Sequence, residues 1–203
     1  MLFFNSPNPA PNPRRVRIFA AEKGIALPSQ EVSIPAGEHK SEAFRALNPL
    51  GQTPALQLDD GTAISESVAI CRYLESLHPE PPLFGRTGHE QALVDMWTRR
   101  VEMVLMPPIG TVWVHTHPFT ARLPGRMADW GEANRPRIIK AMEFFDGELA
   151  GREFLATDHF TIADIVLLTT VDFSTFIGMP VPENLSSLCA WHARISARPS
   201  AAA

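Results

Sequence analysis

The chain has 203 residues, of which 45% are hydrophobic and 20% are charged, as in folded proteins with a sizeable core. Its formal net charge of −4 provides no basic excess for binding nucleic acid or an anionic membrane. No apolar stretch reaches the roughly 20 residues of a membrane-spanning helix, and the first residues lack the pattern of a signal peptide. We therefore expect a cytoplasmic protein that binds neither membranes nor nucleic acid.

The first third of the chain alternates predicted strands and helices. An apolar run at residues 2–4 ends in a loop rich in Pro and Asn, and helical spacing then extends from Arg14 to a C-terminal cap at Gly24. The predictions that follow are a strand at residues 30–34, a short helix at 41–47, a hairpin of strands 55–58 and 62–64, and a helix capped by Ser65. The predicted order is βαβαββα.

A linker is predicted at residues 78–88, which contain three prolines and two glycines. It separates a domain at residues 1–77 from a domain at residues 89–203 in which helical spacing dominates. The predicted helices cover residues 93–104, which Pro107-Pro108 ends or kinks, then residues 135–149 and 188–195. Thr161 and Asp164 have the spacing of a capping box at another helix start.

The two cysteines, Cys71 and Cys189, suit a reducing compartment and have no zinc or redox spacing. Nothing in the sequence requires a disulfide between them. His115 and His117 form a His-x-His pair without a cysteine or carboxylate at metal-ligand spacing. The sequence therefore predicts no metal site.

Three blocks of sequence follow one another along the chain: residues 16–25, residues 48–56 followed by 65–74, and the capping box that begins at Thr161. Taken together and in this order, they resemble glutathione S-transferases. The resemblance implies an α+β thioredoxin-like domain followed by an all-α domain that lines the electrophile pocket. It also implies a homodimeric detoxification enzyme that activates the thiol of its co-substrate, glutathione, for attack on small apolar electrophiles.

Thr53 and Pro54 lie between a short loop and a predicted edge strand, where a proline is sometimes held in the cis form. The resemblance implies that the backbone of Thr53 pairs with the peptide part of glutathione like an added strand. An ordinary entry into a strand would explain the same two residues.

Glu66 and Ser67 open a predicted helix, where N–H groups and a hydroxyl can bind a carboxylate. Inside the resembling block, Ser67 is expected to bind the γ-glutamyl carboxylate and Glu66 the ammonium group. The alternative is that Glu66 only favours the helix dipole while Ser67 faces solvent. For the glycine carboxylate of glutathione, the resemblance indicates His39, which has Lys40 beside it, and Gln52.

The catalytic position has two candidate side chains, Asn12 and Ser6, and a backbone N–H of the loop is the remaining alternative. The only tyrosine, Tyr73, lies inside a predicted helix, and no cysteine precedes Cys71, so the tyrosine and cysteine types of active site are not expected. Residues 10–16 resemble the Thr-Pro-Asn-Gly motif of nu-class members, with alanine in place of the threonine and proline in place of the glycine. Loss of the threonine hydroxyl removes one donor to the thiolate.

Several alternatives therefore stay open on the sequence. The protein is either the transferase described above, a non-catalytic glutathione-binding or protein-interaction module, or a glutathione-dependent peroxidase, dehalogenase or isomerase. Trp113, Phe119 and Trp130 either line an apolar substrate pocket or belong to the core. Arg14 and Arg17 either add positive charge at the catalytic position or lie on a solvated helix face, and the solvated face is the expectation for each.

Overall fold

Strand and helix alternate in the first third of the chain as predicted, and the rest is helical. The computed structural model describes all of residues 1–203. The chain divides into two units, one formed by Met1–Phe84 with Pro199–Ala203 and the other by Gly85–Arg198. A thioredoxin-like first unit and an all-helical second unit confirm the predicted fold class. None of the helices combines the length and hydropathy needed to cross a membrane.

The first unit is built on a four-stranded mixed sheet. Its elements are β1 (Leu2–Asn5), α1 (Pro11–Glu22), β2 (Ser29–Glu31), α2 (Glu42–Leu47), β3 (Ala55–Gln57), β4 (Ala63–Ser65) and α3 (Ser67–Leu77). The strand order is β2-β1-β3-β4, with β1 and β2 parallel and the other neighbours antiparallel. β2 ends earlier than predicted, at Glu31, because its partner β1 ends at Asn5.

Helix α1 begins at Pro11, three residues before the predicted start at Arg14. Proline suits the first helical position because its fixed φ is helical and it needs no N–H partner there. The helix ends at Glu22, and Gly24 just beyond it has a φ of +64°, the left-handed conformation of the predicted glycine cap.

The core of the first unit lies on both faces of the sheet. Successive strand residues point to opposite faces, and Phe4 packs with Val32, Phe44 and Ala55 on one of them. Apolar side chains from α1 and α3 are fully buried with the neighbouring strand residues: Phe3, Val16, Ile18, Phe19, Leu56, Ile70 and Leu74.

Two further contacts hold the ends of α1. The Lys23 ammonium lies 2.5 Å from the Glu75 carboxylate, with the Lys23 side chain fully buried, and joins α1 to α3. At the other end, Arg14 donates to the carbonyl of Ala201 at 2.9 Å. The last residues of the chain therefore belong to the first unit.

The second unit contains α4 (Gly88–Arg100), a π-helical turn (Val101–Leu105), α5 (Met106–Thr116), α6 (Ala128–Leu149), α7 (Ile162–Phe176) and α8 (Ser186–Ser196). The π-helical turn precedes Pro107 and Pro108, which lie in the first turn of α5 rather than ending a helix. Helix α6 begins at Ala128, before the predicted residue 135, and continues through Pro136.

Helix α7 is buried along most of its length, and the predicted capping box at its start is confirmed. The Asp164 carboxylate accepts hydrogen bonds from the backbone N–H of Thr161 at 3.1 Å and of Leu155 at 2.9 Å. It also accepts from the indole Nε1 of Trp191 at 3.1 Å. Burial raises the pKa of Asp164, and these donors oppose that effect.

Candidate functional site

The register of the sheet brings most predicted site residues to one edge. Phe4 pairs with Ala55 in the antiparallel direction, so Ser6 leaves β1 at the edge where Thr53 and Pro54 enter β3. Ala55 pairs with Ser65, so Glu66 and Ser67 leave β4 at that same edge. Segments far apart in the sequence therefore meet because of strand direction alone.

Ser6 is buried, and its hydroxyl already makes hydrogen bonds within the protein. The Oγ donates to the carbonyl of Val32 at 3.0 Å and lies 2.9 Å from the Thr53 Oγ1. A hydroxyl has one proton, so with that proton on Val32 the Ser6 oxygen accepts from Thr53. Ser6 thus connects the loop after β1 to the loop before β3.

The Thr53–Pro54 peptide bond is cis, and Pro54 is buried. Neither the N–H nor the C=O of Thr53 makes a hydrogen bond within the protein. Gln52 is exposed, and its carbonyl accepts from the Asn48 side chain at 2.7 Å. The backbone at Thr53 therefore presents a free donor and a free acceptor beside the sheet.

Glu66 has a φ of +70° and a ψ of 119°, the only positive φ outside glycine. Such a conformation costs roughly 1–3 kcal/mol and occurs mainly at functional sites. Ser65 ends β4 instead of capping α3, so that prediction is wrong, and Glu66 takes the cap position without a side-chain cap. Glu66 is exposed, whereas Ser67 is buried and its Oγ accepts from the Arg15 Nη1 at 3.4 Å.

His39 lies in a 3₁₀ turn, Glu38–Lys40, beside the loop that contains Gln52. The Lys40 ammonium donates to the Gly51 carbonyl at 2.9 Å and joins the turn to that loop. Gly51 has a φ of +57°, and a Cβ there would lie 2.6 Å from the His39 carbonyl oxygen, so only glycine fits. Burial lowers the pKa of His39, as do Lys40 and Arg45, so the ring is neutral at neutral pH.

Asn12 lies at the N-terminal end of α1, between two prolines. Pro11 and Pro13 have no N–H, and the Ala10 N–H is bonded to the Pro7 carbonyl at 3.2 Å. The first turn of α1 therefore has one unbonded backbone N–H, that of Asn12. The Asn12 side-chain amide also has no hydrogen-bond partner in the protein, so both of its donor groups are available.

The expectation that the Arg17 side chain lies on a solvated face is wrong. Its Nη1 donates to the Asn5 Oδ1 at 2.6 Å and to the Ser6 carbonyl at 3.1 Å, and its Nη2 donates to the Asn8 Oδ1 at 2.6 Å. Burial and the nearby Arg14 lower the pKa of Arg17. Helical spacing gave no sign of these contacts, because their acceptors lie in an irregular loop.

In the second unit, five rings form what we call the aromatic cluster: Trp113, His117, Phe119, Phe173 and Phe176. The rings of Trp113 and His117 are 4.5 Å apart, and Phe119 stacks on His117 at 5.6 Å while remaining 74% exposed. Trp130 lies elsewhere, beside Met127 on the surface. Phe173 is buried in the core, whereas Phe119 and Phe176 are exposed, so the cluster extends from the core to an apolar surface.

The His-x-His pair is occupied by backbone contacts. The Nδ1 of His115 accepts from the Met127 N–H at 3.0 Å, and the Nδ1 of His117 accepts from the Phe119 N–H at 3.2 Å. No three His, Cys, Asp or Glu side chains are grouped so that they would hold a metal ion.

Known proteins resemble this chain over nearly its whole length. The family model for the glutathione S-transferase N-terminal domain matches residues 10–77, and that for the C-terminal domain matches residues 114–199. Glutathione S-transferase 2 of Saccharomyces cerevisiae is 35% identical over 204 residues, which span 98% of this chain and 87% of the relative.

Solved structures agree with these matches. The crystal structure of Gtt2 from Saccharomyces cerevisiae has a TM-score of 0.92 at 33% identity and covers 98% of both chains. A glutathione S-transferase domain-containing protein from Marinobacter aquaeolei VT8 has a TM-score of 0.91 at 36% identity, over 98% of this chain and 99% of that chain.

Proposed function

This chain belongs to the glutathione S-transferase family, and we propose on that premise that it activates the thiol of glutathione for attack on small apolar electrophiles. The observation that carries the proposal is the backbone of Glu66, held at a positive φ beside the cis Thr53–Pro54 bond. A conformation of that cost at the edge where the other site residues gather is expected at a binding site.

Glutathione binds, in this proposal, along the edge of the sheet. The free N–H and C=O of Thr53 pair with its peptide part as an added strand. Ser67 and the start of α3 bind the γ-glutamyl carboxylate, and the exposed Glu66 binds the ammonium group. His39 and Gln52, which lie on neighbouring loops, bind the glycine carboxylate.

Asn12 stabilises the thiolate. Its backbone N–H and side-chain amide are unbonded donors at the positive end of α1, and donors directed at a sulfur favour its charged form. Ser6 is the weaker of the two candidates, because its proton is already bonded to Val32. Activation of the glutathione thiol in this proposal needs only donors that are already in position, and no covalent bond forms between glutathione and the protein.

The electrophile binds against the aromatic cluster of the second unit. Exposed rings such as Phe119 and Phe176 offer stacking and dispersion contacts to a flat apolar molecule and few hydrogen bonds. The expected substrates are therefore small, planar and poorly water-soluble. A homodimer, a cytoplasmic location and a role in detoxification complete the proposal, and family membership is their only support.

The direct test is a pH titration of the glutathione thiolate absorbance with and without the protein. We expect the thiol pKa of bound glutathione to fall below the ordinary thiol value of about 8.5. Glu66→Ala should weaken glutathione binding without lowering the melting temperature, since its side chain is exposed and makes no cap. Glu42→Ala, at an exposed position on α2, is the matched control.

The same titration separates the alternatives. Binding without a change in the thiol pKa would indicate the non-catalytic module, with Ala10 in place of the threonine donor as the cause. A titration unchanged at saturating glutathione would contradict the proposed function itself. A shifted thiol pKa without turnover of any aromatic electrophile would direct the search to peroxidase, dehalogenase or isomerase activity.

A further inference from the structure

We propose that Arg17 is a positioning residue of the glutathione site, which fixes the loop after β1 and, through Ser6, the Thr53 backbone. This inference rests on the proposed function, because it assigns Arg17 to the same site. Arg17 does not contact glutathione in this proposal. It acts by holding the groups that do.

The contacts of Arg17 span the first half of the loop. One guanidinium donates to the Asn5 side chain, the Ser6 carbonyl and the Asn8 side chain, at 2.6, 3.1 and 2.6 Å. A guanidinium is planar and its N–H groups have fixed directions, so the relative positions of all three oxygens are set by one rigid group. All of these acceptors are uncharged, so Arg17 is used for geometry rather than for an ion pair.

The loop has few other restraints. Pro7 and Pro9 have no N–H to bond, and the Ala10 N–H bonds only within the loop, to the Pro7 carbonyl at 3.2 Å. The hydroxyl of Ser6 is the contact that leads out of the loop, since it bonds the Val32 carbonyl and lies 2.9 Å from the Thr53 Oγ1. A shift of Ser6 would therefore move Thr53 or break its hydrogen bond.

Charge and geometry make different predictions for Arg17. If the positive charge alone mattered, Arg17→Lys would preserve glutathione binding, and removal of the neighbouring charge at Arg14 would weaken it. If the planar geometry of the guanidinium matters, Arg17→Lys should weaken glutathione binding as much as Arg17→Met does. A single ammonium cannot donate to Asn5, Ser6 and Asn8 in the same geometry.

The experiment measures glutathione affinity and the KM for glutathione in the full-length protein and four variants. Arg17→Met and Arg17→Lys should weaken binding about tenfold, the change expected for lost hydrogen bonds to a charged group. Asn8→Ala, at an exposed position, removes one acceptor and should weaken binding about twofold to threefold. Arg14→Met, which removes the same charge from the same helix, should bind like the wild type.

A purely structural role is distinguished by two further readouts. Arg17→Met should raise the KM for glutathione while leaving the KM for the electrophile unchanged, which a general loss of folded protein would not do. The double variant Arg17→Met/Asn8→Ala should bind no more weakly than Arg17→Met alone, because both changes remove the same contact.

Each failure has a separate meaning. A wild-type protein that does not bind glutathione overturns the proposed function, and this inference with it. A wild type that binds, together with Arg17→Met or Arg17→Lys of unchanged affinity, overturns the positioning role alone. If Arg17→Met does not fold, Asn8→Ala decides, since unchanged glutathione affinity in that folded variant contradicts the proposal.

Discussion

At the residue scale, Asn12 provides both unbonded hydrogen-bond donors at the start of α1, its side-chain amide and its backbone N–H. Helices ordinarily present several unbonded N–H groups in their first turn, but Pro11 and Pro13 remove two of them and Ala10 offers no cap. The first turn of α1 therefore has one unbonded backbone N–H, that of Asn12, where a helix without these prolines would have several. In the proposed site, Asn12 supplies two donors at a position where Ala10 lacks the hydroxyl of the threonine in the motif.

The first prediction compares Asn12→Ala with Ser6→Ala. Asn12→Ala should raise the pKa of the bound thiol by about one pH unit, because it removes one donor to the sulfur. Ser6→Ala should leave that pKa nearly unchanged and instead lower the melting temperature, because it leaves the Val32 carbonyl without its partner. Thiolate absorbance and thermal unfolding measure the two effects, and a reversed pattern would transfer the catalytic role to Ser6.

His39 provides a prediction on pH. Burial, Lys40 and Arg45 lower the pKa of its ring, so at pH 7.5 it can only donate a neutral N–H to a carboxylate. Binding of a carboxylate favours the protonated ring, so glutathione affinity should rise as the pH falls below the ordinary histidine value of about 6.5. Calorimetric titration of His39→Gln should show little change at pH 7.5 and no rise in acid. An equal rise in both proteins would exclude His39.

At the element scale, the start of α7 depends on the buried Asp164 carboxylate, which accepts from two backbone N–H groups and two side-chain donors. Asp164 joins the helix start to the preceding loop through Leu155 and to α8 through Trp191. A helix with most of its residues buried cannot use water to satisfy its N-terminal groups, so the capping box has no substitute.

The element-scale prediction concerns this cap. Thr161→Ala should destabilise the protein by about 1 kcal/mol, and Asp164→Asn by roughly 1.5–3 kcal/mol because an amide N–H then faces the Thr161 N–H. Urea unfolding measures both. Asp158→Asn changes a nearby exposed carboxylate that pairs with Arg86 and His159, and as the control it should lower the unfolding midpoint far less than Asp164→Asn. A neutral Asp164→Asn would show that the carboxylate charge is not required.

We propose that residues 78–88 are the linker and the boundary between the two domains. Limited proteolysis checks this, since the first cut should then fall within these residues. The structural units divide after Phe84, and the last residues return to the first unit through Ser200 and Ala201, which contact Glu22 and Arg14.

At the scale of the whole molecule, family membership predicts a homodimer. Sedimentation equilibrium should give twice the mass of one chain at micromolar concentration, because subunit contacts in stable dimers bury enough apolar surface to persist there. A monomer at all concentrations would remove the homodimer from the proposal. The catalytic proposal would survive, since every residue assigned to glutathione belongs to one chain.

Local patterns in the sequence were sufficient for the family, the βαβαββα order and the capping box of α7. Each depends on residues within a few positions of one another, such as Thr161 and Asp164, or on a continuous block such as residues 48–56. The same blocks indicated Thr53, Glu66 and Ser67 as candidates, and the motif at residues 10–16 indicated Asn12. Their assignment to glutathione stays a prediction.

Only the tertiary structure decided how those residues meet. The contact between Ser6 and Thr53 spans 47 residues, and it exists because β1 and β3 are antiparallel and in a particular register. Arg17 was misjudged for a related reason, since its acceptors lie in a loop whose path no periodicity describes. Sequence determines which groups are present, and strand direction and loop path determine which of them remain free to bind a ligand.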